Sequence, residues 1–460
     1  MYTIDFNKPC HVYFMGIGGI SMSGFAHLLH SAGFTISGSD PNPSNITNNL
    51  EKEGIHINFS QVGENIHKDI DLLVYTAAIH PDNPEYIAAK ELNIPMMDRA
   101  TMVGQVMQNY KNAIGISGTH GKTTTTSMMS HVLLAANMDP TISVGGILKA
   151  IKSNIRIGKS QNFITEACEY TNSFLKFHPT VGVILNVEED HMDFFNNIDE
   201  IRTSFRKYAE LIPSHGLLVI NGEIDNYSEI SSNLDCKVVS YGTDSDTYDY
   251  YSTNVTFDDN GKGHYDLMKN GKFISKVHLN VVGMHNVSNS LSVIATCLEL
   301  NIPLEYILQG VLEFDGAVRR FEYKGTFNGV DVIDDYAHHP TEISATITAA
   351  KNYPHKTLWT VFQPHTYTRT KAFLKDFAKS LSASDKVVLT DIFAAREKPT
   401  GDISSLDLLN ELQKLGTDVY HFSTFEEIEQ FLIKNCTNGD LLITMGAGNV
   451  VEIGENLLNR

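Results

Sequence analysis

The chain has 460 residues, which at about 150 per domain suggests roughly three domains. Hydrophobic residues make up 42% and charged residues 19%, a globular balance that excludes wholesale disorder. With 35 Lys plus Arg against 54 Asp plus Glu the formal charge is −19, so the positive footprint of a nucleic-acid binder is absent.

The first predicted unit occupies residues 11–40. A short apolar strand over 12–15 leads into a glycine turn at Gly16, Gly18 and Gly19. A helix to about residue 31 and a strand over 35–37 follow, ending at Asp40. This is the opening of a dinucleotide-type βαβ unit. A GxGxxG pattern from Gly16 needs glycine at 21, where Ser21 stands, so a nicotinamide cofactor and a UDP-sugar both fit the turn. Asp40, before two prolines, reads either as a ribose or uracil contact or as a turn residue. DLLVYTAA (71–78) continues the alternation, and an exit helix follows NIPMM.

A second strand, glycine loop and helix appear over 112–136. Gly118, Thr119, His120, Gly121, Lys122, Thr123 and Thr124 form a loop whose backbone N–H groups suit phosphate oxygens. Lys122 is placed for the β/γ-phosphates and the Thr123 hydroxyl for Mg²⁺. The full phosphate-loop pattern needs glycine at 116, which is Ile116; Gly115 comes one place early. The bland alternative is a polar helix cap after a glycine turn. Strands at 162–167, 180–187 and 215–222 continue the unit. Glu166 and Glu169 follow one strand end, and Asp190, His191 and Asp193 the next. In a parallel sheet such ends share one crevice, so their donors suit Mg²⁺ bridging ATP and a second substrate. Residues 241–275, rich in Asp, Tyr and Asn-Gly, read as antiparallel hairpins inserted into or appended to the central sheet. A helix over 286–300 closes the segment.

The third segment begins after AVRRFEYKG, with strands in VDVIDDYA, TLWTVFQP, KVVLTDIF and GDLLITMGAG. The GAGNV loop (446–450) is expected to close a sheet edge, and Trp359 to sit in the core. His11, His27, His30, His56 and His264 read as surface or packing histidines. The five cysteines show no CxxC pairing, which argues against a disulfide framework or a zinc site. No apolar run approaches the roughly 20 residues that span a bilayer, and no signal peptide is visible. The expectation is a cytoplasmic protein without membrane insertion and without nucleic acid.

Taken together, GIGG, GTHGKTTTT, EACEY, NVEEDHMD, MHNVSNSLS, RRFE, DDYAHHPTEI, FQPHTYTR and DIFAAREKP occur in the order found in the Mur ligases, and the chain resembles that family over nearly its full length. The resemblance implies an α/β protein of three domains. These are a Rossmann-like UDP-sugar domain (1–108), a central P-loop ATPase-like domain with a parallel-rich sheet (109–316) and a C-terminal Rossmann-like amino-acid domain (317–460). The implied reaction joins L-alanine to the lactyl carboxylate of UDP-N-acetylmuramate through an acyl phosphate, using ATP and Mg²⁺, in a monomer or homodimer.

Residue by residue, the resemblance puts Lys122 on the γ-phosphate, Thr123 and Glu166 on one Mg²⁺ and His191 on a second. His285, Asn286 and Asn289 match an HNxxN motif near the nucleotide, and Arg320 and Asp335 close over ATP. Gly16, Gly18, Gly19, Ser39, Asp40, Thr76 and Arg99 are the expected UDP-sugar contacts; Tyr336, His338 and Arg369 face the amino acid. His338 either orients or deprotonates the amine, or forms with its neighbour a histidine cap on the helix near Pro340. The family usually carries Arg at the position of Thr366, which shifts the carboxylate-holding role onto Arg369 or another cation. The alternatives are a recycling ligase attaching a murein tripeptide to the same sugar nucleotide, a nicotinamide oxidoreductase and a non-catalytic nucleotide-binding regulator.

Overall fold

A computed structural model describes residues 3–192, 194–395, 397–399 and 401–460. Asp193, part of the acidic cluster expected above, lies outside the described residues. Among the described residues the strands fall into three sheets of five, ten and six.

The first sheet runs His56–Asn58, Thr35–Ser39, His11–Met15, Leu72–Tyr75, Met96–Asp98, and all its pairings are parallel. Both faces are covered, so VYFM in the middle strand is buried throughout, the continuous apolar run typical of a parallel sheet. Strand order reverses around His11–Met15. The crevice beyond that strand's C-terminal end is where a doubly wound sheet takes its ligand, and the glycine turn stands there.

The central sheet has a parallel core of Lys237–Thr243, Leu217–Asn221, Val181–Ile184, Asn112–Ser117, Asn162–Glu166 and Thr141–Leu148. The hairpin signals after 241 are realised as an antiparallel meander appended at one edge: Tyr250–Phe257, Lys262–Lys269 and Lys272–Val282. At the other edge Thr141–Leu148 turns back on Ser153–Arg156. That hairpin leaves no clean period-two pattern, because Gly145 and Gly146 interrupt it and its outer half is partly exposed. Gly115 is a packing glycine: a Cβ there would come within 2.3 Å of the Tyr208 hydroxyl, which donates to the Gly115 carbonyl. Its off-pattern position thus belongs to the strand and not to phosphate binding.

The third sheet runs Glu322–Phe327, Val330–Asp335, Leu441–Met445, Leu358–Phe362, Lys386–Leu389, Asp418–His421, parallel except for its first hairpin. Here the expectation for GAGNV is corrected. The strand before it lies between Val330–Asp335 and Leu358–Phe362, so the loop caps the middle of the sheet and not its edge. The Gly446 and Gly448 carbonyls accept from the Arg319 guanidinium at 2.7 and 3.0 Å. Trp359 is buried as expected and donates to Asp440. Among the described residues no helix is long and apolar enough to cross a membrane.

Candidate functional site

The loop at 118–121 joins the strand Asn112–Ser117 to the helix Lys122–Ala135. Gly118 and Gly121 have φ of 146° and 83°, conformations that a side chain would strain. A Cβ on Gly118 would lie 2.9 Å from Leu185, and one on Gly121 2.9 Å from the Asn289 carboxamide oxygen. Asn186, from beyond the neighbouring strand, clamps the loop: its Oδ1 accepts from the His120 N–H at 2.7 Å and its Nδ2 donates to the His120 carbonyl at 3.1 Å. The Thr119 hydroxyl accepts from the Glu188 N–H at 2.9 Å. The loop is held from outside itself, so its shape does not depend on a ligand.

Lys122 folds over this loop, donating to the Thr119 carbonyl at 3.0 Å and pairing with Glu169 at 3.0 Å. Burial opposes its charge, but Glu169 in contact, with other anionic groups nearby, raises its pKa, and the ammonium stays protonated. Glu169 Oε1 lies 3.7 Å from His191 Nε2, which is 3.8 Å from Asp190. Asp190 in turn accepts from Arg369 of the third sheet's unit at 2.9 Å. Burial pushes Asp190 up, yet Arg369 and then His191 hold it well below the usual carboxylate range. A row of polar contacts thus runs Lys122, Glu169, His191, Asp190, Arg369 across the two units. His191 has φ of 54° and stacks on Tyr170, which fixes its ring in this row.

Glu166 lies apart from the row. Its Oε1 accepts from the Gly145 N–H at 2.6 Å, and a Cβ on Gly145 would stand 3.1 Å from both carboxylate oxygens. A Cβ on the adjacent Gly146 would lie 3.6 Å from the Thr123 methyl. Thr123 and Glu166 therefore meet at the same two glycines, a pair of hard oxygen donors of the kind Mg²⁺ takes. His120, Glu188 and His339 also bring three ligand-type atoms within 4.8 Å of one another. Burial lowers the His120 pKa, but Glu188 and Glu342 more than reverse this and raise it to about 9. The two ring nitrogens of His120 face Glu342 at 3.3 Å and Glu188 at 3.6 Å, so the grouping is held together by ion pairs.

Two cavities flank the row. The first, about 260 Å³, is lined by His120, Gly121 and Thr124 of the loop, His285, Asn286 and Asn289, and Arg320, Asp335 and Glu342. It brings together most of the residues expected around the nucleotide. Burial, reinforced by Arg320, lowers His285 to about 4, leaving it neutral. Burial raises Asp335 to about 6 against the pull of Arg320, and its two oxygens accept from the Phe321 and Ala337 N–H groups. The second cavity, about 470 Å³, is lined by Asp190, His191, Tyr336, His338, Thr366 and Arg369 among others. Thr366 caps the helix Tyr367–Ala372 there, with φ of 63°. Arg369 is thus the cation that this cavity presents among the described residues.

The two histidines before Pro340 divide the alternatives between them. His339 caps the helix Pro340–Lys351, accepting from the Thr341 N–H, and its Nε2 reaches the Glu189 carbonyl at 3.0 Å. His338 instead faces the second cavity. Its Nδ1 lies 3.0 Å from the Tyr336 carbonyl and 3.2 Å from Glu342, both acceptors, so the neutral ring carries its proton there. Burial lowers its pKa to about 4, with Glu342 opposing and Arg369 adding to the fall.

The expected UDP-sugar residues collect at the reversal point of the first sheet. Gly16 has φ of 77° and sits against Thr76. Asp40 Oδ2 accepts from the Gly18 N–H at 3.0 Å and its Oδ1 from Asn42, so both oxygens serve the turn. Ser39 is buried, its hydroxyl donating to Glu85. Arg99 reaches across the crevice to Ser21, the residue that replaces the third glycine. The edge hairpin links this crevice to the phosphate loop: Ile155 packs where Gly24 lacks a side chain and Asn154 donates to the Ile20 carbonyl, while Gly145 and Gly146 meet Glu166 and Thr123.

Sequence reasoning singled out neither Glu342 nor Asn186. Glu342 had a signal, an acid in the first turn of a helix opened by His339-Pro340. Asn186 opens the NVEEDHMD motif, but that motif drew attention to its acidic residues and His191 and not to its first residue.

The chain matches three family models: "Mur ligase family, catalytic domain" over residues 11–111, "Mur ligase middle domain" over 116–297 and "Mur ligase, glutamate ligase domain" over 319–448. It is 57% identical to a UDP-N-acetylmuramate–L-alanine ligase of Lachnoclostridium phytofermentans and 57% to one of Agathobacter rectalis, with 100% of each chain covered. Among solved structures, a UDP-N-acetylmuramate-alanine ligase from Thermotoga maritima is similar at TM-score 0.80 and 28% identity over 98% of both chains. A murein peptide ligase from Psychrobacter arcticus shares the fold at TM-score 0.68 and 22% identity, again over 98% of both.

Proposed function

The chain belongs to the Mur ligase family, and from that premise we propose that it joins L-alanine to the lactyl carboxylate of UDP-N-acetylmuramate, converting ATP to ADP and phosphate. The observation that carries this reading is the row of polar contacts from Lys122 to Arg369, which connects a cavity lined by the phosphate loop, His285, Asn289 and Arg320 to one that presents Arg369 and His338.

A carboxylate resists attack by an amine because oxide would have to leave. Transfer of the γ-phosphoryl group to the lactyl carboxylate gives an acyl phosphate whose leaving group is phosphate. Two anions must approach for that step, and fixed positive charge offsets their repulsion. Lys122, charged and pre-aimed along the loop, exchanges Glu169 for the γ-phosphate, and Arg320 closes from the other side. Thr123 and Glu166 would hold one Mg²⁺ and His191 a second, ions that supply further positive charge to the phosphates. UDP-N-acetylmuramate lies in the crevice of the first sheet, its pyrophosphate against the turn at Gly16, Gly18 and Gly19, with its lactyl arm directed along the edge hairpin to the loop.

L-Alanine occupies the second cavity. Its carboxylate pairs with Arg369, and the lone pair on His338 Nε2 accepts from its amine and orients it. The neutral amine attacks the acyl carbon, the tetrahedral intermediate breaks its bond to the phosphate oxygen, the departing phosphate takes up the proton lost from nitrogen, and an amide remains. The use of ATP and the lack of any disulfide among the described residues support a cytoplasmic setting. A phosphate-release assay with UDP-N-acetylmuramate, ATP and Mg²⁺ tests the assignment. L-Alanine should support turnover and the murein tripeptide should not; turnover with the tripeptide alone would replace this reading with the recycling ligase.

A further inference from the structure

Glu342 stands in the first turn of the helix Pro340–Lys351, where free N–H groups favour a carboxylate, and only 12% of its side chain is exposed. Its Oε1 lies 3.3 Å from His120 Nδ1, on the phosphate loop, and 3.5 Å from Arg320. Its Oε2 accepts from the His338 N–H at 3.0 Å and lies 3.2 Å from His338 Nδ1. His120 and Arg320 line the nucleotide cavity, whereas His338 lines the amino-acid cavity. One carboxylate therefore lines the first cavity, where one oxygen meets His120 and Arg320, and with its other oxygen holds His338, a residue that lines the second.

A buried carboxylate is costly unless its partners are in place, and here one partner belongs to the other unit. Around it, Glu188 accepts from the Thr341 hydroxyl and Glu189 from His339, so the Glu342 contacts form as the third sheet's unit docks on the central one. Docking that seats His120 on Oε1, beside Arg320 of its own unit, also fixes the direction of Oε2, and with it the ring of His338. We propose that Glu342 is a positioning residue that makes nucleotide and amino-acid binding interdependent. This rests on the ligase reading above and goes beyond it by assigning the coupling to one side chain.

The test is calorimetric titration of the full chain with L-alanine in the presence of UDP-N-acetylmuramate and Mg²⁺, with and without the β,γ-imido analogue of ATP. In the wild-type chain the analogue should tighten L-alanine about tenfold, within the range usual for coupled sites. Glu342→Gln should bring that factor below about twofold in a chain that still folds, with Tm lowered because His120 and Arg320 lose a buried partner. Should the Gln variant unfold, Glu342→Asp decides, because it keeps the charge but is one methylene too short to serve both cavities. A folded variant that retains the tenfold factor overturns the proposal. So does one that weakens both ligands equally and leaves the factor intact, which is what a merely structural role gives. Wild-type turnover with L-alanine but no coupling also overturns it, whereas no turnover at all is the failure of the ligase reading.

Discussion

Two strand–glycine turn–helix units in this chain start from nearly the same local sequence logic and end differently. At Gly16–Gly19 the turn is completed locally: Asp40, at the end of the next strand, takes the Gly18 N–H. At Gly118–Lys122 the turn is completed by distant segments, with Asn186, Glu188 and Glu169 holding it and the third sheet's unit covering it through His120–Glu342. The first arrangement suits binding a ligand; the second suits holding charge ready for a reaction. Glycines alone do not separate them. The difference lies in which groups have been brought in from elsewhere.

Breaking the second unit should cost catalysis, and breaking the first should cost only sugar binding. The largest expected effect is that of Lys122→Ala, which should lower phosphate release by about 10³-fold or more and change the affinity for UDP-N-acetylmuramate by less than about twofold. Steady-state kinetics with calorimetry of the sugar nucleotide checks both. Next comes Arg369→Ala. It should raise the KM for L-alanine by about 100-fold and also lower Tm, because Asp190 is left buried without its partner, a loss of about 3–5 kcal/mol.

Gly18→Ala sharpens the other side of the comparison. Its Cβ would stand 2.8 Å from Asp40 Oδ2 and push that carboxylate off the Gly18 N–H. The KM for UDP-N-acetylmuramate should rise by about tenfold with the KM for ATP unchanged. The smallest effect concerns pH. The His120 pKa is raised from the ordinary 6.5 to about 9, with burial opposing and Glu188 and Glu342 prevailing. Its contribution to the docked form is therefore complete below about pH 6.5 and is lost as pH rises through about 9. Across that window Tm of the ligand-free chain should fall by about a few degrees, and His120→Asn should flatten this part of the profile.

The same contrast explains what could be read from the sequence. Strand, glycine loop and helix follow one another within a few residues, so periodicity and turn chemistry reveal three α/β units, the loop at Gly118–Lys122 and the meander after residue 241. Gly115 was legible as off-pattern, though its reason, the Tyr208 hydroxyl, lies 93 residues away. The row from Lys122 to Arg369 joins segments whose neighbours carry no shared pattern, and Asp190–Arg369 spans 179 residues. Glu342 looked like an ordinary first-turn acid because its partners come from the loop at His120 and from Arg320. The edge placement expected for GAGNV failed for a related reason: which strand lies beside Leu441–Met445 is decided by crossover connections, not by the loop's own residues.

The central claim is that the lysine-bearing loop presents a terminal phosphoryl group to the sugar-linked acid before the amine attacks. The most direct measurement uses UDP-N-acetylmuramate carrying ¹⁸O in its lactyl carboxylate, with ATP, Mg²⁺ and L-alanine, and mass analysis of the released phosphate. One labelled oxygen should appear in phosphate for each amide formed. Amide formation with unlabelled phosphate would contradict the acyl-phosphate route and the role given to Lys122.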